Sequence, residues 1–154
     1  MNKLSIPLKY GIFTTIVLIA YFLLLSLFGL HIFPIYSLFN AVITAAGMFL
    51  AIKHYKRTKG DKFKYQKGFA TGMFTGFIAT ILFTGFFAIY AADINPEFFN
   101  KLVAMWDSDY ETPLGLVIFA VALMGASTTV ALTLTYMQLF KRSWNTKEGK
   151  RHTL

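Results

Sequence analysis

Residues 53–67 read KHYKRTKGDKFKYQK, with seven Lys or Arg against a single Asp. In a soluble protein with a formal net charge of +8, such a cluster would point to nucleic acid. The surroundings exclude that reading, because apolar runs lie on both sides and the 154-residue chain is 56% hydrophobic and 18% aromatic. With a mean hydropathy of +0.55, this exceeds what a water-soluble core of that length needs. The segment is therefore read as a link between membrane spans, and its charge as an orientation signal.

Working back toward the N-terminus, the run PLKYGIFTTIVLIAYFLLLSLFGL offers a first span at about 9–30, long enough for a hydrocarbon core of about 30 Å. Lys3 and Lys9 before an apolar run also resemble a signal peptide. The run is longer than a typical h-region and lacks a small-x-small site, so cleavage is not expected. His31, Ile32 and Phe33 form a very short link to Pro34, a residue suited to a first helical turn. The second span, at about 34–52, is thus an antiparallel neighbour of the first. It carries Asn40 and Thr44 at membrane depth.

Forward of the basic segment, a third span covers about 65–92. At every fourth position it shows Gly68, Gly72, Gly76, Thr80, Thr84, Ala88 and Ala92. Small residues at this spacing allow close backbone approach, the main source of helix association in lipid. Asp93 ends the span. Asn95, Pro96 and Glu97 then read as a helix start with cap, first-turn proline and favourable dipole charge. Phe98, Phe99, Leu102, Val103 and Trp106 recur at helical steps, predicting an amphipathic interfacial helix at about 96–106. The fourth span covers about 113–140, with the cluster Gly125, Ala126, Ser127, Thr128 and Thr129, before a short basic tail.

The expected fold is an all-α membrane protein: four transmembrane helices in two antiparallel hairpins, plus a short amphipathic periplasmic helix between helices three and four. Placing the N-terminus, residues 53–67 and the tail on one side collects 14 of the 15 Lys and Arg there and leaves only Lys101 opposite. The positive-inside rule then predicts that both termini and the basic segment are cytoplasmic. Tyr10, Tyr55, Tyr65, Tyr136 and Trp144 fall near the inner interface, and Tyr36, Tyr90, Trp106 and Tyr110 near the outer one.

Several groups are candidate sites. Lys53, Lys56, Arg57, Lys59, Lys62, Lys64 and Lys67 suit anionic lipid headgroups or an acidic partner, beside the plainer role of fixing topology. The stripe Gly68, Gly72, Gly76, Thr80 and Thr84 suits a homo-oligomer or partner contact, or packing within the chain. Asn40, Thr44, Thr80, Thr84 and the group Ser127, Thr128 and Thr129 are candidates for a polar intramembrane cavity, although such hydroxyls commonly bond to their own helix. No Asp, Glu, Lys, Arg or His falls inside the spans away from their ends, which argues against proton-coupled transport.

No cofactor or metal is expected. With no cysteine in the chain, thiol catalysis and Cys-ligated metals are excluded. His31, His54 and His152 lie on different segments and do not make one metal site. Asp107, Asp109 and Glu111 lack the glycine and ligand set of a calcium loop. P-loops, nucleophile elbows and dinucleotide fingerprints are missing.

Three elements carry a resemblance: Lys9-Tyr10-Gly11; Phe63-x-Tyr65-Gln66-x-Gly68-Phe69-x-x-Gly72; and Ile94-Asn95-Pro96-Glu97-Phe98. Together they resemble the domain-of-unknown-function 4199 family of small membrane proteins of Bacteroidota. Helix four, with its Gly125 to Thr129 cluster, departs most from that pattern. The resemblance implies a four-helix inner-membrane protein and supplies no catalytic residues. The functional expectation is a non-enzymatic accessory or scaffold subunit of a membrane complex. The alternatives are a partner of a membrane glycosyltransferase or lipid-linked sugar pathway, and a small transporter or channel.

Overall fold

The long apolar runs carry no internal proline, so each continues as one helix until glycine, proline or a polar cap stops it. A computed structural model describes residues 5–105 and 111–141. Its helices are α1 (Ile6–Leu27), α2 (Pro34–Lys59), α3 (Tyr65–Ile89), α4 (Pro96–Ala104) and α5 (Leu114–Phe140). Short 3-10 turns at Leu30–Ile32 and Gly60–Lys62 and a π turn at Tyr90–Ile94 join them. The described residues are all-helical, and α1, α2, α3 and α5 are each long and apolar enough to cross a membrane.

The boundaries show what ends each helix. α1 begins with a proline in its first turn and gives way to Gly29 at φ +67°, a left-handed conformation that glycine adopts without a Cβ penalty. α2 runs beyond residue 52, where hydropathy alone places its end. Charge stops a hydropathy window but not a backbone hydrogen-bond ladder, and Lys and Arg are good helix formers. Lys56, Arg57 and Lys59 occupy the last turn, beside the negative end of the helix dipole. The stop comes at Gly60, φ +50°. Lys53, Lys56, Arg57 and Lys59 are therefore helical residues rather than loop residues.

At the far end of α3 the chain loosens into the π turn, where Asn95 N–H donates to Tyr90 O at 2.8 Å. Asn95 then caps α4, its Oδ1 accepting from Phe98 N–H at 3.2 Å. Trp106, the last residue of the expected interfacial helix, lies outside the described residues, as do Asp107, Asp109 and Tyr110.

α3 is the central helix, and α1, α2 and α5 all pack along it, while α2 also touches α1 and α5. Large apolar side chains such as Phe13, Ile16, Leu38, Phe74, Phe119 and Met124 point outward. A belt of this kind on four long helices suits a hydrocarbon surround and would be a large exposed patch in water. α5 is the least covered of the four.

Candidate functional site

Three places concentrate side chains of interest: the seam of α3, the basic end, and the opposite end around Asn95. In the seam, Gly68, Gly72 and Gly76 are buried. A Cβ added at Gly76 would stand 2.9 Å from Thr129 Cβ; one at Gly72 would stand 3.0 Å from Ile52 Cδ1 and 3.2 Å from Thr133 Oγ1. One at Gly68 would meet the Phe63 ring at 2.6 Å. The arrangement is reciprocal, because Thr80 of α3 fills the space at Gly125 of α5, where a Cβ would come within 2.6 Å. Thr14 of α1 likewise fits against Gly47 of α2, and Ile78 of α3 against Gly11 of α1. Small residues on each helix thus receive a branched side chain from the next, which brings the backbones close.

Most hydroxyls in this seam turn back on their own helices, although Thr14 Oγ1 is buried without a hydrogen-bond partner. Thr44 donates to Asn40 O at 2.8 Å, Thr75 to Thr71 O at 2.7 Å, Thr129 to Gly125 O at 2.9 Å and Thr133 to Thr129 O at 2.7 Å. The expected polar group at 127–129 splits: Thr129 is buried in the seam, Thr128 is half-buried and Ser127 faces outward. Asn40 Oδ1 and Thr84 Oγ1 are buried without a hydrogen-bond partner.

At the basic end the cations divide into groups. Lys56 lies over the rings of Phe63 at 5.8 Å and Phe140 at 5.2 Å, so it caps the meeting of α2, α3 and α5. Lys59, Lys62, Lys64 and Lys67 are exposed. On the α1 side, Tyr10 OH and His54 Nδ1 form a hydrogen bond of 3.0 Å. Beside that pair opens a cavity of about 410 Å³ lined by Tyr10, Leu50, Lys53, His54, Arg57 and Thr58.

The opposite end is aromatic. Phe22, Phe87, Tyr90, Ala91 and Phe98 form a buried cluster. Phe22 meets Tyr90 edge-on at 4.9 Å and Phe98 at 5.7 Å, the arrangement that ring quadrupoles favour. His31 stacks on Phe98 at 4.7 Å and 17°. Both its ring nitrogens are buried without a partner. Burial first, and the nearby Lys101 second, hold the imidazole below its usual pKa. Tyr90 OH is satisfied by Ser26 Oγ at 2.7 Å, and Asn95 Nδ2 lies 3.4 Å from it.

The Asn95-Pro96-Glu97-Phe98 element thus has a physical role: Asn95 caps α4, and Phe98 enters the bundle at 2% exposure. Periodicity marks the apolar face of α4 but not its partners, which come from α1, the α1–α2 link and α3. The density of aromatics between Phe83 and Tyr90 is the signal that points to them. His31 belongs to this end and His54 to the basic end, while His152 lies outside the described residues.

Four helices able to cross a membrane, closed on a glycine–threonine seam, define the class of multi-pass helical membrane proteins. Residues 9–113 match the family described as "Protein of unknown function (DUF4199)", and the chain belongs to that family. The matched range takes in most of α1 and all of α2, α3 and α4, and stops just before α5. No curated protein and no solved structure matches the chain.

Proposed function

We propose that the protein is a non-enzymatic multi-pass protein of the bacterial cytoplasmic membrane, serving as an accessory or scaffold subunit of a membrane complex. Its four spans are threaded as two antiparallel hairpins, with both termini and the Gly60 turn in the cytoplasm and α4 on the periplasmic side. The observation that carries the reading is the charge asymmetry, with 14 of 15 Lys and Arg on one side of the threaded chain. The threonine hydroxyls of the spans bond mainly to their own helices, which suits a packing role for the seam. Gly68, Gly72 and Gly76 are covered within the chain, so among the α3 stripe, the basic end and the exposed side of α4, the latter two remain open to a partner.

Two measurements test the reading. Reporter fusions after His31 and after Asp107 are expected to be active only outside the cytoplasm, and a fusion after Gly60 only inside; the reverse pattern overturns the threading. Cross-linking with mass spectrometry in native membranes is expected to return links to another membrane protein. Recovery of the lone monomer under several cross-linkers overturns the accessory role.

A further inference from the structure

The cavity beside Tyr10 and His54 has a neighbour: a second hollow of about 370 Å³ shares Tyr10 with it and is lined further by Lys9, Ile12, Phe13 and Ile16. The two differ in character. The first is rimmed by Lys53, His54 and Arg57, whereas the second runs along apolar α1 side chains, with Phe13 and Ile16 57% and 59% exposed. Neither lining contains a carboxylate. Lys53 lines the first cavity although its ammonium lies 5.8 Å from the Phe49 ring.

The geometry points to a seat for one anionic glycerophospholipid. Its phosphate is held by Lys9 and Arg57 beside the Tyr10–His54 pair, and an acyl chain lies against Ile12, Phe13 and Ile16. Cations and a tyrosine at the rim of a lipid-facing slot match the level at which phosphates sit in a bilayer. The apolar continuation selects a lipid over a free phosphate, which would have no use for it. Charge alone does not select this place, since Lys59, Lys62, Lys64 and Lys67 are equally exposed; what sets it apart is charge joined to a slot. The inference rests on the proposed threading only in assigning the lipid to the cytoplasmic leaflet.

The test uses the full chain in symmetric vesicles, with spin-labelled phosphatidylglycerol compared against chain-matched spin-labelled phosphatidylcholine. The wild type is expected to hold the anionic lipid selectively. Lys9→Gln with Arg57→Gln lowers that selectivity by about fivefold per charge removed, while Lys62→Gln with Lys64→Gln leaves it unchanged. Phe13→Ala with Ile16→Ala, which keeps every charge, is expected to weaken retention of the long-chain lipid. Equal losses in both charge variants reveal a diffuse field and overturn the seat, as does no loss in either. Displacement by inorganic phosphate, or by a polyprenyl phosphate in preference to phosphatidylglycerol, also overturns it. Because symmetric vesicles are blind to orientation and contain no partner, a negative result here leaves the threading and the accessory role standing.

Discussion

Replacing Gly76 with alanine places a Cβ 2.9 Å from Thr129 Cβ and closer still to its Cγ2 and Oγ1. No rotamer change relieves the clash with Cβ, which is fixed to the α5 backbone, and Thr129 Oγ1 is held by Gly125 O at 2.9 Å. Carbons in contact prefer about 3.5–4.0 Å, so α3 and α5 must part by roughly 0.6–1.1 Å at this level. A gap of that size gives up about a quarter to a half of the local dispersion energy, in line with an overpacking cost of about 1–3 kcal/mol. Gly85→Ala is the control, because nothing lies within 4 Å of a Cβ there and alanine is the better helix former by about 1 kcal/mol. The assay is reversible unfolding of purified protein by SDS in mixed micelles, with the folded fraction read from far-UV circular dichroism. Thr129→Ala removes Cγ2 and Oγ1 from the contact, so the double variant should recover part of the loss and show a favourable coupling energy. If Gly76→Ala costs no more than Gly85→Ala, or if the double variant is strictly additive, the glycine–threonine seam does not hold α3 to α5.

Two further outcomes concern the opposite end. Phe98→Ala removes a ring that packs on Phe22, Phe87, Tyr90 and His31; it should cost about 3–5 kcal/mol in the same unfolding assay, well above half-buried Phe99→Ala. His31 has a folded pKa below 6.5 because of burial first and Lys101 second, so just below pH 6.5 the unfolded chain binds more protons than the folded one. Stability should therefore be full above that pH, decline as pH falls toward the lowered folded pKa, and then level off. His31→Phe should flatten the slope, measured as unfolding midpoint against pH.

The four long helices are legible in the sequence because each is an uninterrupted apolar run, and the cap at Asn95 is legible because Asn, Pro and Glu stand in helix-start order. The reach of α2 to Lys59 is hidden from hydropathy, which registers the cost of charge in lipid but not the absence of a breaker before Gly60. The α3 stripe is visible by its spacing. Its complements are not, because Thr129, Thr133, Thr14 and Gly47 sit on other helices at positions that depend on how the helices cross. The grouping of 127–129 by adjacency misleads for the same reason: neighbours in a helix point about 100° apart, so Ser127 and Thr129 face different surroundings. Tyr10 and His54 meet across 44 residues, a distance over which sequence pattern carries no information about contact.

The two ends of the bundle differ in what they leave available. At the Asn95 end nearly every recognisable feature is engaged in closure: Asn95 caps, Phe98 fills, Tyr90 bonds to Ser26, and Glu97 and Lys101 form only an exposed pair at 3.7 Å, worth little. The Asn-Pro-Glu-Phe element is therefore explained by folding, and its presence is no argument for a reaction at that end. The seam through the middle is likewise closed on itself, with most of its hydroxyls satisfied along their own helices. At the basic end, by contrast, Lys9 and Arg57 border open volume and meet no carboxylate in its lining. Arg57 also complements the α2 dipole, yet the cavity it borders with Lys53 stays open, and that open volume is what the proposed lipid seat uses.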